Sequence, residues 1–187
     1  MKAPQVLYVR GVVSTLRAAS RVAIVGSRAA PPWACDWAYA VAENAARSGD
    51  VVVSGLAFGI DASAHGGALA GGGATIAVLA HGLHMVYPAG HAVLAEDIVA
   101  GGGALVTEYP VGTPPLPWQF VARDRIQAML AGRVLVVHSE VDGGTMHTAK
   151  FARRAGVPVL VPPAGLGNRG GGVERLLERG EAEEWGC

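Results

Sequence analysis

Short β-branched runs, each closed by Gly, Ser or Pro and followed by an Ala-rich stretch with helical spacing, recur from end to end of this chain. Residues 22–25 form such a run and stop at Gly26. Beyond Pro31 and Pro32, the residues Trp33, Trp37, Val41 and Ala45 recur at helical spacing until Gly49. Strand-like runs follow at 51–53, 75–79, 104–106, 134–137 and 157–161. Helical stretches lie between them at about 61–70, 91–100, 120–130 and 145–155, the first with Asp61 placed to act as N-cap. Apolar runs without polar alternation suit strands covered on both faces, and regular strand–helix alternation makes the sheet parallel. The predicted fold class is therefore α/β, a doubly wound, mostly parallel sheet in a single domain. The Pro-rich stretch 110–117 reads as an ordered excursion within it, and the Gly-rich stretch 165–172 as a mobile loop.

A length of 187 residues suits one domain, and 51% hydrophobic against 16% charged residues excludes a wholly disordered chain. Cys35 and Cys187 make no disulfide framework and no CxxC pair, which fits a reducing compartment. The N-terminus lacks a signal-peptide core, and no apolar run is long enough for a membrane span. These features predict a soluble, cytoplasmic protein. The formal charge of zero conceals an uneven distribution. Arg123, Arg125, Arg133, Lys150, Arg153 and Arg154 cluster in one part of the chain, while Glu174, Glu178, Glu181, Glu183 and Glu184 make the end acidic. An acidic tail can mask a basic face in such a total.

In an open α/β sheet, ligands sit beyond the carboxyl ends of the strands. Three segments fall there: Gly26-Ser27-Arg28, the run from Ser54 to Asp61, and Asp142-Gly143-Gly144-Thr145. Glycine admits close backbone approach, and the N–H groups opening a helix favour phosphate. Ser27 and Thr145 add hydroxyls, and Arg28 adds a charged fork. The alternative is that these glycines merely make tight turns. No phosphate-loop Gly-Lys-Ser/Thr pattern is present, which disfavours Mg-ATP. Around His81, His84 and His91 there is no HExxH pattern, and Gly82, Pro88 and Gly90 interrupt the stretch, so no metal is predicted. His65 reads as a packed core residue. No Ser-His-Asp set emerges by spacing, and Glu108 and Glu140 cannot be paired from sequence.

At these segments the chain resembles the DprA/Smf DNA-processing family. Residues 22–28 read VAIVGSR, and residues 54–61 with Ala64 and His65 are similar to the family's SGLAxGID…AH signature. Residues 75–79 with Gly82, Tyr87 and Pro88 match its TIAVLGxG…YP stretch, and Glu108-Tyr109-Pro110 looks like its SExP element. Phe120, Arg123 and Arg125 fit FPxRNR, while Gly144, Thr145, Thr148 and Ala149 fit GSLxTA. Residues 7–11 resemble the short strand that precedes the family's central domain. The resemblance implies a Rossmann-like domain, with its core at about 7–182, that binds single-stranded DNA without sequence preference. It further implies transfer of the strand to a RecA-type recombinase, notably in natural transformation, and a homodimer, with no cofactor. By motif, Ser27, Arg28, Gly55, Phe58, Arg123, Arg125, Gly144 and Thr145 form the strand pocket, and Lys150 is a further candidate. Phe58 offers either a stacking face or a core side chain.

The departures from the pattern bear on the same site. Val121 and Ala122 replace Pro-x, Asp124 stands where Asn is usual, and His84 and His91 stand where Asp and Asn are. A carboxylate between two arginines either subtracts from phosphate affinity or orients one guanidinium. On this reading residues 1–187 are the bare central domain, with no helical domain before it and no winged helix after it. The rival reading is a nucleotide sensor, or a hydrolase resembling the LOG-type phosphoribohydrolases. Such a hydrolase needs a carboxylate near the ribose, which Glu108 or Glu140 would supply.

Overall fold

The computed structural model describes residues 3–186, so Cys187 lies outside the described residues, and Cys35 is a free thiol. The strands are β1 (Tyr8–Gly11), β2 (Arg21–Val25), β3 (Val51–Ser54), β4 (Thr75–Val78), β5 (Ala104–Thr107), β6 (Arg133–Val136), β7 (Val159–Val161) and β8 (Glu183–Glu184). The helices are α1 (Pro32–Arg47), α2 (Ile60–Ala70), α3 (Ala92–Ala100), α4 (Pro117–Leu130), α5 (Thr145–Arg154) and α6 (Gly171–Glu178). One sheet runs in the order β1-β5-β4-β3-β2-β6-β7-β8, and only the edge pairing of β1 with β5 is antiparallel. From β2 the chain winds outward through β3, β4 and β5, then crosses back to β6 and winds the other way. The winding reverses between β2 and β6, which is where a doubly wound sheet opens a crevice.

Every residue of β3, β4 and β5 is buried, because helices cover both faces and no solvent side exists to demand alternation. On one face Val25, Val53, Val78, Val106, Val134 and Val136 pack against apolar residues of α4, α5 and α6. On the other, Val22, Ile24, Val52 and Leu135 meet α1 and α2, while Ala77 and Leu105 meet α3. The stripe of α1 that goes deepest is not the Trp33–Trp37–Val41 series but Ala34, Ala38, Ala42, Ala45 and Ala46. The reason is close helix approach: a Cβ at Gly67 of α2 would lie 2.1 Å from the Tyr39 carbonyl of α1. The tryptophans flank that contact and are only partly buried.

Three expectations are corrected. Asp61 does not cap α2; Gly59 does, with φ of 72°, where a Cβ would strike the carbonyls of Ser27 and Arg28. Asp61 instead lies in the first turn and points back into the loop. The 165–172 stretch is not simply a loop, because α6 begins within it and Arg169 is buried there. Arg169 donates to the Pro162 carbonyl at 2.8 Å, to Glu174 at 2.9 and 3.1 Å, and to Glu184 at 2.7 Å. The masking of basic charge by the acidic end is partly direct pairing: Glu174 and Glu184 neutralise Arg169, and Glu181 pairs with Arg153 at 2.7 Å. Among the described residues, no helix is long and apolar enough to cross a membrane.

Alanine exceeds glycine in helix propensity by about 1 kcal/mol, so Gly67→Ala would stabilise an isolated α2. Here the added methyl forces α1 and α2 apart. The expected result in urea unfolding is a loss of roughly 1–3 kcal/mol, the usual cost of overpacking.

Candidate functional site

A cleft of about 460 Å³ opens where the winding reverses, at the carboxyl ends of β2 and β6. Its walls come from four places that the sequence keeps far apart. Gly26, Ser27 and Arg28 follow β2, and Ala57 and Asp61 come from the β3–α2 turn. Phe120, Arg123, Asp124 and Gln127 come from α4. His138, Glu140, Gly143, Gly144, Thr145 and Thr148 follow β6 and open α5.

Glycine placement explains how the walls close. A Cβ at Gly26 would lie 2.4 Å from the Ile60 side chain, so this glycine lets β2 run directly over the start of α2. A Cβ at Gly143 would meet the Ser139 hydroxyl oxygen at 2.5 Å. Around Gly144 there is open space, and its residue caps α5, whose first N–H groups have no partner within the helix. The β6–α5 turn is braced from behind by the C-terminal segment, where Gly172 N–H donates to the Ser139 carbonyl at 2.8 Å and Ser139 N–H to the Arg169 carbonyl at 3.1 Å. Ser27 is fixed by β6: its N–H donates to the His138 carbonyl at 2.9 Å, and its hydroxyl lies 3.0 Å from His138 Nδ1.

The floor is an ionic network. Arg123 is buried and donates through Nε to Asp124 Oδ1 at 3.0 Å and through one terminal nitrogen to the Val78 carbonyl. Its other terminal nitrogen faces Asp61 Oδ2 at 4.0 Å. That same carboxylate oxygen accepts the N–H groups of Gly55 at 3.1 Å and Ala57 at 3.3 Å. Gln127, oriented with its amide nitrogen toward Asp124 at 3.2 Å and its oxygen toward Gly55 N–H at 2.9 Å, completes the network. Of the two roles open to Asp124, the orienting one is realised, since its carboxylate sets the plane of the Arg123 guanidinium. Burial pushes Asp124 up to about 7 against the pull of Arg123, and the like charge of Asp61 pushes the same way. Burial also raises Asp61, opposed by Arg123 and the two backbone donors.

The mouth of the cleft is aromatic. Arg28 is exposed and lies 5.1 Å over the Phe120 ring, a cation–π contact. Among the described residues, no carboxylate pairs with Arg28. A smaller cleft beside it is lined by Arg28, Gly55, Phe58, Tyr87 and Phe120. Phe58 is 51% exposed and meets His91 edge-on at 4.6 Å, and Tyr87 is 5.6 Å from Phe120. His91 in turn bonds through Nδ1 to the carbonyl of Leu56 at 2.8 Å. Leu56 is the one described non-glycine residue in the left-handed region, at φ of 61°, and this bond supports the turn carrying Phe58.

The structure thus brings Ser27, Arg28, Arg123, Gly144 and Thr145 to one cleft, with Phe58 on its rim. Gly55 is buried at the base of the smaller cleft: its N–H is taken by Asp61, and a Cβ would lie 1.8 Å from the Arg123 guanidinium. Two candidates stand apart. Arg125 turns to the β1 edge, where it grips Glu108 with both terminal nitrogens, one at 2.6 Å, and lines a groove with Tyr8 and Gln5. Successive helix positions point about 100° apart, so Arg123 and Arg125 cannot share a face. Lys150 is exposed on α5 outside the cleft lining. The residues missed were Phe120, Tyr87 and His138, while Glu140 was weighed only as a carboxylate beside a ribose. Phe120 and Tyr87 belonged to recognised motifs and could have been chosen, whereas His138 carried no motif and stands out only once Ser27 is seen against it.

The shifted groups oppose each other in their effect on stability. Asp124 holds its proton in the folded state up to about pH 7, so the stability it lends is present at acid pH and lost as pH rises from about 4 to 7. His65 is wholly buried and depressed to about 3 by burial, so its contribution is present above about 6.5 and lost as pH falls toward 3. Replacing Asp124 by Asn removes the first effect alone. The difference in melting temperature, Asp124→Asn minus the unsubstituted protein, is expected to grow from pH 4 to pH 7; a constant difference would show that Asp124 titrates normally.

Comparison with known proteins agrees with this architecture. Residues 1–185 match the family model for DNA recombination-mediator protein A. The chain is 39% identical to Protein Smf of Escherichia coli over 178 residues, covering 95% of this chain and 47% of that protein, so it spans about half the length of that relative. It superimposes on DNA processing protein A of Helicobacter pylori with a TM-score of 0.90 at 30% identity, covering 98% of this chain and 83% of the other. The Helicobacter protein has a single-stranded DNA binding mode. The Streptococcus pneumoniae DprA structure gives a TM-score of 0.88 at 34% identity, covering 98% and 64%. With its order of motifs, its sheet topology and its near full-length match, this chain belongs to the DprA/Smf family of DNA-processing proteins.

Proposed function

We propose that the cleft captures single-stranded DNA without sequence preference and without chemical turnover, in the cytoplasm, as part of DNA recombination of the natural-transformation type. The observation that carries this reading is Arg28: an exposed cation over the Phe120 ring, shared between the main cleft and the aromatic rim. A backbone phosphate suits the space bounded by Arg28, the Ser27 hydroxyl and the N-terminus of α5, where the positive end of the helix dipole and the hydroxyl of Thr145 lie, although the N–H groups of Met146 and His147 are already taken by the carbonyls of Gly143 and Gly144. The next bases then meet Phe58, Tyr87 and Phe120, and stacking on aromatic faces is indifferent to sequence. Arg123 contributes field rather than contact, because it is buried and bonded to Asp124 and the Val78 carbonyl, with Asp61 facing it at 4.0 Å. Delivery of the strand to a RecA-type recombinase and assembly as a homodimer complete the proposal, as the family resemblance implies.

A second reading is supported by Glu140, whose place on the cleft wall fits a carboxylate beside a ribose, whereas Glu108 is held away by Arg125. The cleft volume also suits a mononucleotide. Incubation with AMP-type nucleotides followed by chromatography separates the two: free base supports a hydrolase, and none leaves binding.

For strand capture, fluorescence anisotropy of a labelled oligo-dT across a salt series is the test. Arg28→Ala is expected to weaken binding and to lower the salt slope by about one phosphate contact. Affinity and slope unchanged in Arg28→Ala would remove the phosphate site from this cleft.

A further inference from the structure

The floor of the cleft sets two carboxylates, Asp61 and Asp124, against the single guanidinium of Arg123, directly beneath the space where an anion is proposed to sit. With both carboxylates ionised the cluster is net negative and repels a phosphate; with one proton it is neutral. Because Arg123, Asp61 and Asp124 are all buried, mobile salt does little to screen them. Resting on the strand-capture reading above, we infer that Asp124 makes anion binding in this cleft proton-linked: the bound strand is held with Asp124 neutral, and a proton is taken up as it binds.

Each charged group facing Asp124 bears on this balance. From its own helix Arg123 pairs with it, while Arg125 is turned away to Glu108. Asp61 faces it from α2 through the shared guanidinium. Arg28 acts on it from the turn after β2, so an ionised Asp124 competes with the incoming phosphate for the field of the one cation at the mouth that no described carboxylate pairs with. His138 and Glu140 line the same cleft from the end of β6. Behind Arg123 stand His65, fully buried and held neutral, and His91, bonded to the Leu56 carbonyl. Burial already brings the Asp124 carboxyl to about 7, so a further push from a bound phosphate changes its proton occupancy in the physiological range. Asp124 here is a positioning residue that also sets the charge of the floor, and it need not touch the strand.

The experiment measures the affinity of 5′-labelled oligo-dT for the full chain between pH 6 and pH 8 at constant ionic strength, with and without Asp124→Asn. Neither thymine nor the phosphodiester titrates in that range, so any slope belongs to the protein. The unsubstituted protein is expected to lose affinity as pH rises, by up to about tenfold per pH unit for one linked proton. Asp124→Asn is expected to bind more tightly at pH 8 and to show little slope. Equal slopes in the two proteins would overturn the inference while leaving strand capture intact, and would direct attention to His138. Absence of binding at every pH would defeat strand capture itself, and the inference with it. Should Asp124→Asn fold poorly, the carboxyl carbon shift of Asp124 in the unsubstituted protein decides: its titration midpoint rises on adding oligo-dT if the inference holds, and stays fixed or falls if it does not.

Discussion

The guanidinium of Arg123 ties together α4, β4 and the β3–α2 turn. It reaches from α4 to the last carbonyl of β4, faces the carboxylate that closes the β3–α2 turn, and lies where only a glycine at position 55 leaves room. Breaking a buried pair by removing one partner costs about 3–5 kcal/mol, because the remaining charge stays buried and uncompensated. The loop bearing Phe58, the start of α2 and the cleft-facing side of α4 are all held by this one group. The cleft is therefore largely formed in advance, with its polar floor already hydrogen-bonded and its exposed donors left at the rim.

That arrangement divides the arginines by role. Arg123 is buried and paired with Asp124, Arg125 is paired with Glu108 at the β1 edge, and Arg169 anchors the C-terminal segment. Arg28 differs: it is exposed, in contact with an aromatic ring, and located where the sheet reverses its winding. Asp61 and Asp124 on the floor and Glu140 on the wall offset the charge of Arg123 and Arg28 around the cleft. The C-terminal segment contributes from behind, since Arg169 and Gly172 fix the Ser139 backbone from which the α5 turn departs.

Fold class was legible because buried parallel strands leave an unmistakable trace: runs such as 51–53 and 134–137 are apolar throughout and are punctuated by Gly or Ser. The winding order was not written in those runs, since every strand looks alike when both faces are covered. α6 escaped notice because Gly170, Gly171 and Gly172 open it, and glycines read as loop unless one knows that the Ser139 and Glu140 backbone lies against them. The site was legible in part. Gly26-Ser27-Arg28 and Gly144-Thr145 fell at strand ends and did converge, whereas the pairing of Arg125 with Glu108 depends on a helical rotation and on a strand end 17 residues away. Gly55 and Gly59 show the opposite error: both glycines of a binding-like motif are required by packing, one against Arg123 and one against the carbonyls of Ser27 and Arg28.

The central claim is that the strand lies in the crevice between β2 and β6. The most direct test is to titrate oligo-dT into uniformly 15N-labelled protein and follow the amide resonances. The account predicts that the largest shifts fall on Ser27, Arg28, Gly143, Gly144 and Thr145, with smaller ones at Phe58 and Phe120, while the β1 edge around Arg125 and the outer face of α5 around Lys150 stay still. Shifts confined to those outer faces, with the crevice unmoved, would contradict it.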